Sequence, residues 1–276
     1  MRGRSRLHRP SKKDPMSDPI LLRYDQGTIT TLTLNTPASL NALSTPMLVA
    51  LGAALADIAG SSQRVVIINA AGGNFCAGHD LKEIQGLRAA PDRGTAAFTA
   101  LFALCSRVMM QITGLPQPVI ASVQGIATAA GCQLAASCDM VVATDSARFG
   151  VNGVNIGLFC STPLVALSRK IAPALAFDLA ATGEFLTVYR AQELGLVNRI
   201  TSPGNLDNAA RALAETLAGK LPAALAAGKR AFAGQSATAL AAAYDQASAA
   251  MVENLMNPDT DEGIPAFLAK RPPNWA

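Results

Sequence analysis

Residues 118–144 have the sequence PVIASVQGIATAAGCQLAASCDMVVAT, and this stretch decides the fold. Its first part, PVIASVQ, is a nearly continuous apolar run of the kind found in buried strands. The middle part, IATAAGCQLAAS, predicts a loop of small residues that leads into a helix. The last part, DMVVAT, predicts a second buried strand. Buried strands that alternate with helices predict an α/β protein with stacked β-rich layers and helices outside them.

The same alternation extends toward the N-terminus. Residues 20–35, ILLRYDQGTITTLTLN, predict a β-hairpin around an Asp-Gln-Gly turn. The tripeptide STP at 44–46 predicts the start of a helix that ends at Gly60, because proline in the first turn has no N–H to leave unpaired. RVVIINA at 64–70 predicts a further buried strand, and a long helix is expected at about 95–113.

The chain changes character after GLVNRIT, which closes the alternating series near residue 200. Beyond it the sequence is rich in alanine and predicts helices at 205–219, 222–233, 236–256 and 260–269. We therefore predict three regions: a disordered basic tail at 1–17, a core at 18–200 and a helical region at 201–276.

Composition limits the possible functions. Half of the 276 residues are hydrophobic and 15% are charged, which predicts a large folded core. The net charge of +4 comes from residues 1–15, which hold six Lys and Arg against one Asp, so the rest of the chain carries −1. Because no basic patch is interleaved with aromatic residues, we expect no binding of nucleic acid.

The five cysteines contain no CxxC pair, and only one histidine lies beyond the tail. This pattern predicts no metal site, no disulfide framework and reduced thiols. No run approaches 18 uncharged apolar residues with membrane flanks, so we expect no membrane span. A cytoplasmic location is expected. The arginine-rich tail leaves a mitochondrial matrix location as the alternative if it is a presequence, unless Met16 is the true start.

Two loops can carry chemistry. In FCAGHDLKE at 75–83, Asp80 followed by Glu83 predicts a capping box with Asp80 as N-cap. Gly78 permits unusual backbone angles that leave the N–H of His79 free to face a ligand. In GIATAAGCQLAA at 125–136, small residues precede a second helix. Two free N–H groups at helix N-termini can stabilise a negative oxygen, as in an oxyanion hole.

Several segments, in this order, resemble the crotonase family, which is the enoyl-CoA hydratase/isomerase family. They are NTPASLNAL at 35–43, FCAGHDLKE at 75–83, the stretch 118–144, ARFG at 147–150, AQELGLVNRI at 191–200 and EGIPAFLAKR at 262–271. The resemblance runs from about residue 18 to residue 272. It implies a spiral of ββα units with a C-terminal helical trimerisation region, assembled as a homotrimer or a dimer of trimers.

The resemblance also implies a ligand, an acyl-CoA thioester. Coenzyme A would be part of the substrate, and no separate cofactor is expected. The family's oxyanion donors correspond to the backbone N–H groups of His79 and Ala130. The residues implied in coenzyme A binding are Ala77, Gly78, Asp80, Leu81 and Lys82, together with Phe267 and Lys270 from a neighbouring subunit.

This sequence departs from the family at two catalytic positions. The hydratases use two glutamates, and the corresponding positions here are Gln133 and, at or next to the second site, Gly153. An amide cannot exchange protons near neutral pH. A third departure is Ala38, where many relatives carry a lysine. Cys132 and Cys160 are expected near the pocket as inert core residues, and Ser161 or Thr162 as an N-cap.

Three functions remain open. The chain can be a weak or non-standard hydratase that stabilises a thioester enolate between two N–H groups. It can be a decarboxylase of a malonyl-type CoA, in which the carboxylate of the substrate leaves as CO₂. It can also be a catalytically silent acyl-CoA-binding protein.

Overall fold

The computed structural model describes residues 18–235, 238–258 and 260–275. The basic tail predicted for 1–17 lies outside the described residues.

The described strands form two sheets. Their bounds are β1 (Leu21–Gln26), β2 (Ile29–Leu34), β3 (Val65–Ala70), β4 (Val119–Val123), β5 (Ile126–Thr128), β6 (Met140–Thr144), β7 (Arg148–Gly150), β8 (Phe185–Thr187) and β9 (Arg199–Thr201). The larger sheet has the order β1-β2-β3-β4-β6-β9, and the smaller has the order β5-β7-β8. Both buried strands of the stretch 118–144 are confirmed: they are β4 and β6, which pair in parallel.

The helices follow the predicted alternation. Their bounds are α1 (Thr45–Ala59), α2 (Leu81–Leu87), α3 (Thr95–Gly114), α4 (Ala130–Ser137), α5 (Ser161–Leu167), α6 (Pro173–Thr182), α7 (Val188–Glu193), α8 (Leu206–Ala218), α9 (Pro222–Gln235), α10 (Leu240–Leu255) and α11 (Thr260–Leu268). The N-terminal hairpin is confirmed as the antiparallel pair of β1 and β2. The N-cap of α1 is Ser44, whose hydroxyl accepts the N–H of Met47.

The large sheet is buried on both faces because its central strands are apolar at successive positions. On β4, Ala121 belongs to the main core with α1 and α3, while the adjacent Ile120 faces α8. This doubly covered arrangement is typical of a parallel sheet, in which strands are continuous apolar runs. The sheet therefore gives a rigid base from which the connecting loops project.

The helices after residue 200 do not form a single layer. Helix α8 packs on the sheet through Leu206, Ala210 and Leu213. Helix α9 is tied to the core by Lys229, whose Nζ lies 2.7 Å from Oδ2 of Asp139. Helices α10 and α11 leave many large apolar side chains exposed, among them Tyr244, Met251, Leu255 and Phe267.

Helix α3 is the one helix in the described residues that is long and apolar enough to cross a membrane. It packs against α1 and buries one face, with Leu101, Val108 and Ile112 in the main core. A long apolar helix inside a soluble core passes the same test of length and composition, so this feature alone is weak evidence for a span.

Candidate active site

The loop before α2 and the loop before α4 lie side by side. Cys76 forms a parallel bridge with Ala127, and His79 forms one with Leu43. The bonds that join the first pair run from the N–H of Cys76 to the carbonyl of Ile126 and from the N–H of Thr128 to the carbonyl of Cys76. These bridges hold the starts of two helices against each other.

Gly78 allows this close approach. Its φ is +95°, and a Cβ there would lie 2.9 Å from Cβ of Ala129 and 3.2 Å from the backbone N of Ala130. Its own N–H donates to Sγ of Cys76 at 3.4 Å. Only a residue without a side chain fits this conformation and this gap, so glycine is required where the two loops touch.

The backbone N–H of His79 is free among the described residues. In a parallel bridge only one of the two bridged residues bonds through its own N–H and carbonyl, and its partner bonds through the residues on either side. Here the carbonyl of Gly78 accepts the N–H of Leu43. Nothing in the described part of the chain accepts the N–H of His79.

The N–H of Ala130 is also free. Ala130 is the first residue of α4, where a backbone N–H has no partner inside the helix. No acceptor for it lies among the described residues. The preceding Ala129 has φ 49° and ψ −122°, an unusual conformation for a residue with a side chain. Two free N–H groups beside Gly78 can together bind one negatively charged oxygen.

The imidazole of His79 is turned toward the protein. Its Nδ1 lies 3.2 Å from the carbonyl oxygen of Leu43, and its ring packs edge-on against Phe102. Because a carbonyl only accepts, Nδ1 carries the proton and Nε2 is an acceptor, which is buried without a partner in the described structure. Burial lowers the pKa of His79, against smaller raising effects of the Leu43 carbonyl and Glu83.

Asp80 is the N-cap of α2, as predicted: its carboxylate accepts the N–H groups of Lys82 and Glu83. The predicted capping box is wrong in its second half. The carboxylate of Glu83 instead accepts the N–H of Thr45 at 2.9 Å. The bridge between Leu43 and His79 places the start of α1 next to α2, so Glu83 satisfies a free N–H of the neighbouring helix.

Some of the other residues implied in coenzyme A binding lie around this loop, and two do not. Leu81 and Lys82 have exposed side chains, and the N–H of Ala77 is taken by the carbonyl of Leu40. Phe267 and Lys270 lie far along the chain, at the end of α11, where Phe267 is 81% exposed. Helix α11 packs on α10.

Gln133 is 5% exposed, and its Oε1 has no hydrogen-bond partner in the described structure. It lies one turn after Ala130 and therefore on the same side of α4. A buried polar atom without a partner is rare in folded proteins and requires an explanation. Gln133 can orient a polar group of a ligand but cannot take or give a proton at neutral pH.

Gly153 has no room for a side chain. A Cβ there would lie 2.4 Å from the carbonyl oxygen of Leu158 and 2.8 Å from Sγ of Cys160. The N–H of Gly153 donates to the same Sγ at 3.3 Å. The expected N-cap at Ser161 or Thr162 is wrong by one residue, because α5 begins at Ser161 and Cys160 precedes it as N-cap.

Two polar contacts that the sequence did not predict fix these loops. Asn41 is fully buried, and its amide donates to the carbonyls of Ala71 and Asn74. The hydroxyl of Thr128 donates to Oδ1 of Asn152 at 2.6 Å, which joins the loop before α4 to the segment that holds Gly153. In the sequence, such a residue is visible only as a polar residue in a loop of small ones. That pattern does not reveal its hydrogen-bond partner.

The cysteines are free and buried. Burial raises the pKa of Cys76 and Cys132 to about 12 each, so both remain thiols. Within the described ranges, no group of three or more His, Cys, Asp or Glu side chains is arranged to hold a metal ion.

Comparison with known proteins agrees with this architecture. A family model described as enoyl-CoA hydratase/isomerase matches residues 24–276. A protein of Rattus norvegicus, enoyl-CoA hydratase domain-containing protein 3, mitochondrial, is 42% identical over 264 residues, which are 95% of this chain and 86% of that protein.

Two solved structures are also similar. An enoyl-CoA hydratase of Mycobacterium smegmatis is 49% identical, with a TM-score of 0.89 over 94% of this chain and 99% of that one. The human enoyl Coenzyme A hydratase domain-containing protein 3 is 39% identical, with a TM-score of 0.87 over 93% of this chain and 100% of that one.

Proposed function

The chain belongs to the enoyl-CoA hydratase/isomerase family, and from that premise we propose that it is an enzyme acting on an acyl-CoA thioester. It stabilises the enolate of the thioester between the N–H groups of His79 and Ala130. The observation that carries this proposal is the pair of N–H groups beside Gly78 that no described residue accepts.

The energetic reason is the placement of these donors. Ala130 begins α4, whose backbone dipole places partial positive charge at its N-terminus. The donors are fixed before the ligand arrives, so no reorganisation is needed as negative charge develops on the thioester oxygen. One such donor contributes about 2.7–4 kcal/mol to transition-state stabilisation.

Coenzyme A is bound as part of the substrate, and no separate cofactor takes part. The backbone and side chains from Ala77 to Lys82 hold it, and Lys82 is the exposed cation beside this loop. Phe267 and Lys270 contact it from a second copy of the chain, in a homotrimer or a dimer of trimers. The exposure of Phe267 in the single chain supports this arrangement.

Hydration by two carboxylates does not fit this site. Gln133 offers an amide, and Gly153 has no space for a side chain beside Leu158 and Cys160. A positioned acid or base contributes roughly 10²–10⁴-fold in rate. The protein is therefore a weak or non-standard hydratase, and its reaction class as a lyase rests on this proposal.

Decarboxylation of a malonyl-type CoA is the second candidate. Departure of CO₂ from the substrate creates the enolate without a protein base, so the crowding at Gly153 is no obstacle. The stabilisation that this reaction needs comes from the two N–H groups.

A panel of crotonyl-CoA, a 3-hydroxyacyl-CoA and methylmalonyl-CoA, followed by mass spectrometry, tests the proposal. Slow water addition supports the non-standard hydratase, and loss of CO₂ supports the decarboxylase. Binding of every thioester without turnover assigns the chain as a silent acyl-CoA-binding protein and refutes the catalytic proposal. Failure to bind any thioester refutes both.

Of the two locations that the sequence left open, the mitochondrial one is favoured by similarity to the rat relative, which is named as a mitochondrial protein. Fusion of residues 1–17 to a fluorescent protein tests it: import into mitochondria supports a presequence, and a diffuse cytoplasmic signal contradicts it.

A further inference from the structure

We propose that Cys160 is the catalytic acid of this site, which gives its thiol proton to Cα of the thioester enolate. The inference rests on the enolate-forming function proposed above. It concerns the group that ends the reaction by protonating carbon, a role that the two N–H donors cannot fill because they bind the oxygen.

The thiol occupies the space that a side chain at position 153 would need. Its Sγ lies 2.8 Å from where a Cβ of Gly153 would be and accepts the N–H of Gly153 at 3.3 Å. Because this N–H occupies a lone pair of sulfur, the S–H hydrogen remains available to donate. No acceptor for it lies among the residues that the structure describes.

The segment that holds Gly153 is joined directly to the proposed hole. The N–H of Ala129 donates to the carbonyl of Gly150 at 3.0 Å, and Thr128 bonds to Asn152. Ala129 is the residue before the donor Ala130. The thiol is therefore bonded to Gly153, and the segment 150–153 that contains Gly153 is hydrogen bonded to the segment that contains the N–H donor.

A second observation places a ligand here. Gln133 is 95% buried, on the side of α4 that carries Ala130, and its Oε1 has no partner in the described structure. A buried acceptor of this kind is expected to receive a hydrogen bond from a bound molecule. Helix α4 also packs against α5, so Gln133 lies on a helix that adjoins the one Cys160 precedes.

The other polar side chains at the site cannot supply the proton. The proton of the neutral His79 ring is on Nδ1, which donates to Leu43, and Nε2 has none to give. Gln133 does not ionise. The thiol of Cys132 is fully buried in α4, whereas Cys160 is 9% exposed. The carboxylates of Asp80 and Glu83 accept backbone N–H groups at the starts of α2 and α1, which leaves Cys160 as the candidate for the acid.

The thiol is in the correct state to act as an acid. Burial raises the pKa of Cys160, partly offset by the N–H of Gly153, so the group is protonated at neutral pH. The titratable group that interacts with it from the packed helices is Cys132, also a thiol. Among the described residues, no charged side chain shifts the pKa of Cys160.

The proton transfer from Cys160 to Cα needs no reagent other than water. The electron pair of the enolate C=C bond forms the new bond from Cα to the thiol hydrogen, while the S–H bond breaks and leaves a thiolate. The thioester carbonyl re-forms and leaves the two N–H groups. A proton from water then returns the thiolate to the thiol. In reverse, the thiolate removes a proton from Cα.

Exchange of the Cα hydrogens of butyryl-CoA for deuterium in D₂O, followed by mass spectrometry, tests this directly. We expect exchange by the unmodified protein and a loss of roughly 10²–10⁴-fold in Cys160→Ala, with the Kd for butyryl-CoA unchanged. Cys160→Ser keeps the size and the acceptor for Gly153 but is a weaker acid, so its rate lies between the two. The matched control is Cys138→Ala, a buried thiol at the end of α4, which keeps the full rate.

The outcomes separate the two proposals. Exchange by Cys160→Ala at the full rate overturns the role of Cys160 and leaves the enolate function standing. Thioester binding without exchange by the unmodified protein also overturns it. If the unmodified protein binds no thioester, the proposed function itself fails. Should Cys160→Ala fold poorly, Cys160→Ser decides, because a full exchange rate there removes the thiol from the mechanism.

Discussion

The backbone N of Ala130 lies 3.2 Å from the position that a Cβ on Gly78 would occupy. This single distance explains why the two helix-initiating loops meet at a glycine. It also places the free N–H groups of His79 and Ala130 on the two sides of one narrow contact. The proposed enolate site depends on this contact.

Gly78→Ala is expected to damage both stability and binding. The new Cβ would lie 2.9 Å from Cβ of Ala129, at a φ of +95°, so the loops must separate. We expect a loss of about 1–3 kcal/mol in the free energy of unfolding, measured with urea, and a weaker Kd for butyryl-CoA. Gly86→Ala in α2 is the control, because nothing lies within 4 Å of its Cβ position. Equal stability of the two variants contradicts the account.

His79→Gln separates the backbone of this residue from its ring. Glutamine keeps a backbone N–H and can still donate to the carbonyl of Leu43, so we expect turnover to fall by less than the roughly 10²-fold typical of a lost acid or base. A larger loss with unchanged thioester affinity shows that the imidazole itself takes part.

The lowered pKa of His79 also predicts a pH effect. The folded chain holds this ring neutral, while the unfolded chain protonates it near the ordinary value of 6.5. The contribution of the buried neutral ring to the free energy of unfolding is therefore complete above pH 6.5. It decreases as the pH falls toward the lowered pKa of His79 in the folded chain. Urea titrations at several pH values are expected to show this decrease, and His79→Gln removes it.

Gly153→Ala tests the crowding that excludes a second carboxylate. A Cβ at 2.4 Å from the carbonyl oxygen of Leu158 forces the backbone to move, and overpacking of this kind costs about 1–3 kcal/mol. Thermal unfolding of Gly153→Ala and of the control Gly60→Ala, whose Cβ position is open, measures this. For the same reason, Gly153→Glu is expected to add no hydration of crotonyl-CoA. A gain in that activity contradicts the proposed crowding.

The stability of the C-terminal segment is also expected to depend on pH. Arg271 donates two hydrogen bonds to Glu262, and with the N–H of Asn274 this lowers the pKa of Glu262 to about 2. At pH values above 4.5, the ordinary pKa of a glutamate, the ion pair stabilises the C-terminal segment in full. This stabilisation is lost as the pH falls toward 2.

Trp275 reports on this segment because it is the only tryptophan, and its Nε1 donates to the carbonyl of Gly219. In the unmodified protein its fluorescence is expected to change between pH 4.5 and 2. In Arg271→Ala the change is expected near pH 4.5. Circular dichroism at the same pH values is the control for global unfolding. An identical transition in both proteins means that the pair does not hold the segment.

Much of this architecture could be predicted from the sequence. The buried strands β3, β4 and β6 are long apolar runs, and the caps at Ser44 and Asp80 follow from local side-chain chemistry. Such features depend on residues close together in the chain, which is why pattern alone identifies them.

The remainder depended on contacts between distant segments. Glu83 bonds to Thr45, 38 residues earlier, and not to its own helix. The lack of space at Gly153 comes from the path of residues 158–160, and α8 joined the sheet although its alanine-rich sequence resembles that of the later helices. No local pattern contains these packing relationships.

In the proposed site, two N–H groups polarise the thioester carbonyl. The most direct measurement is the infrared stretch of butyryl-CoA labelled with ¹³C at that carbonyl, bound to the unmodified protein and to Ala130→Pro. Proline removes one donor but is tolerated at the first position of a helix. We expect a shift to lower frequency in the unmodified protein and a smaller shift in Ala130→Pro. A carbonyl band at the position of free butyryl-CoA in the fully bound protein would contradict it.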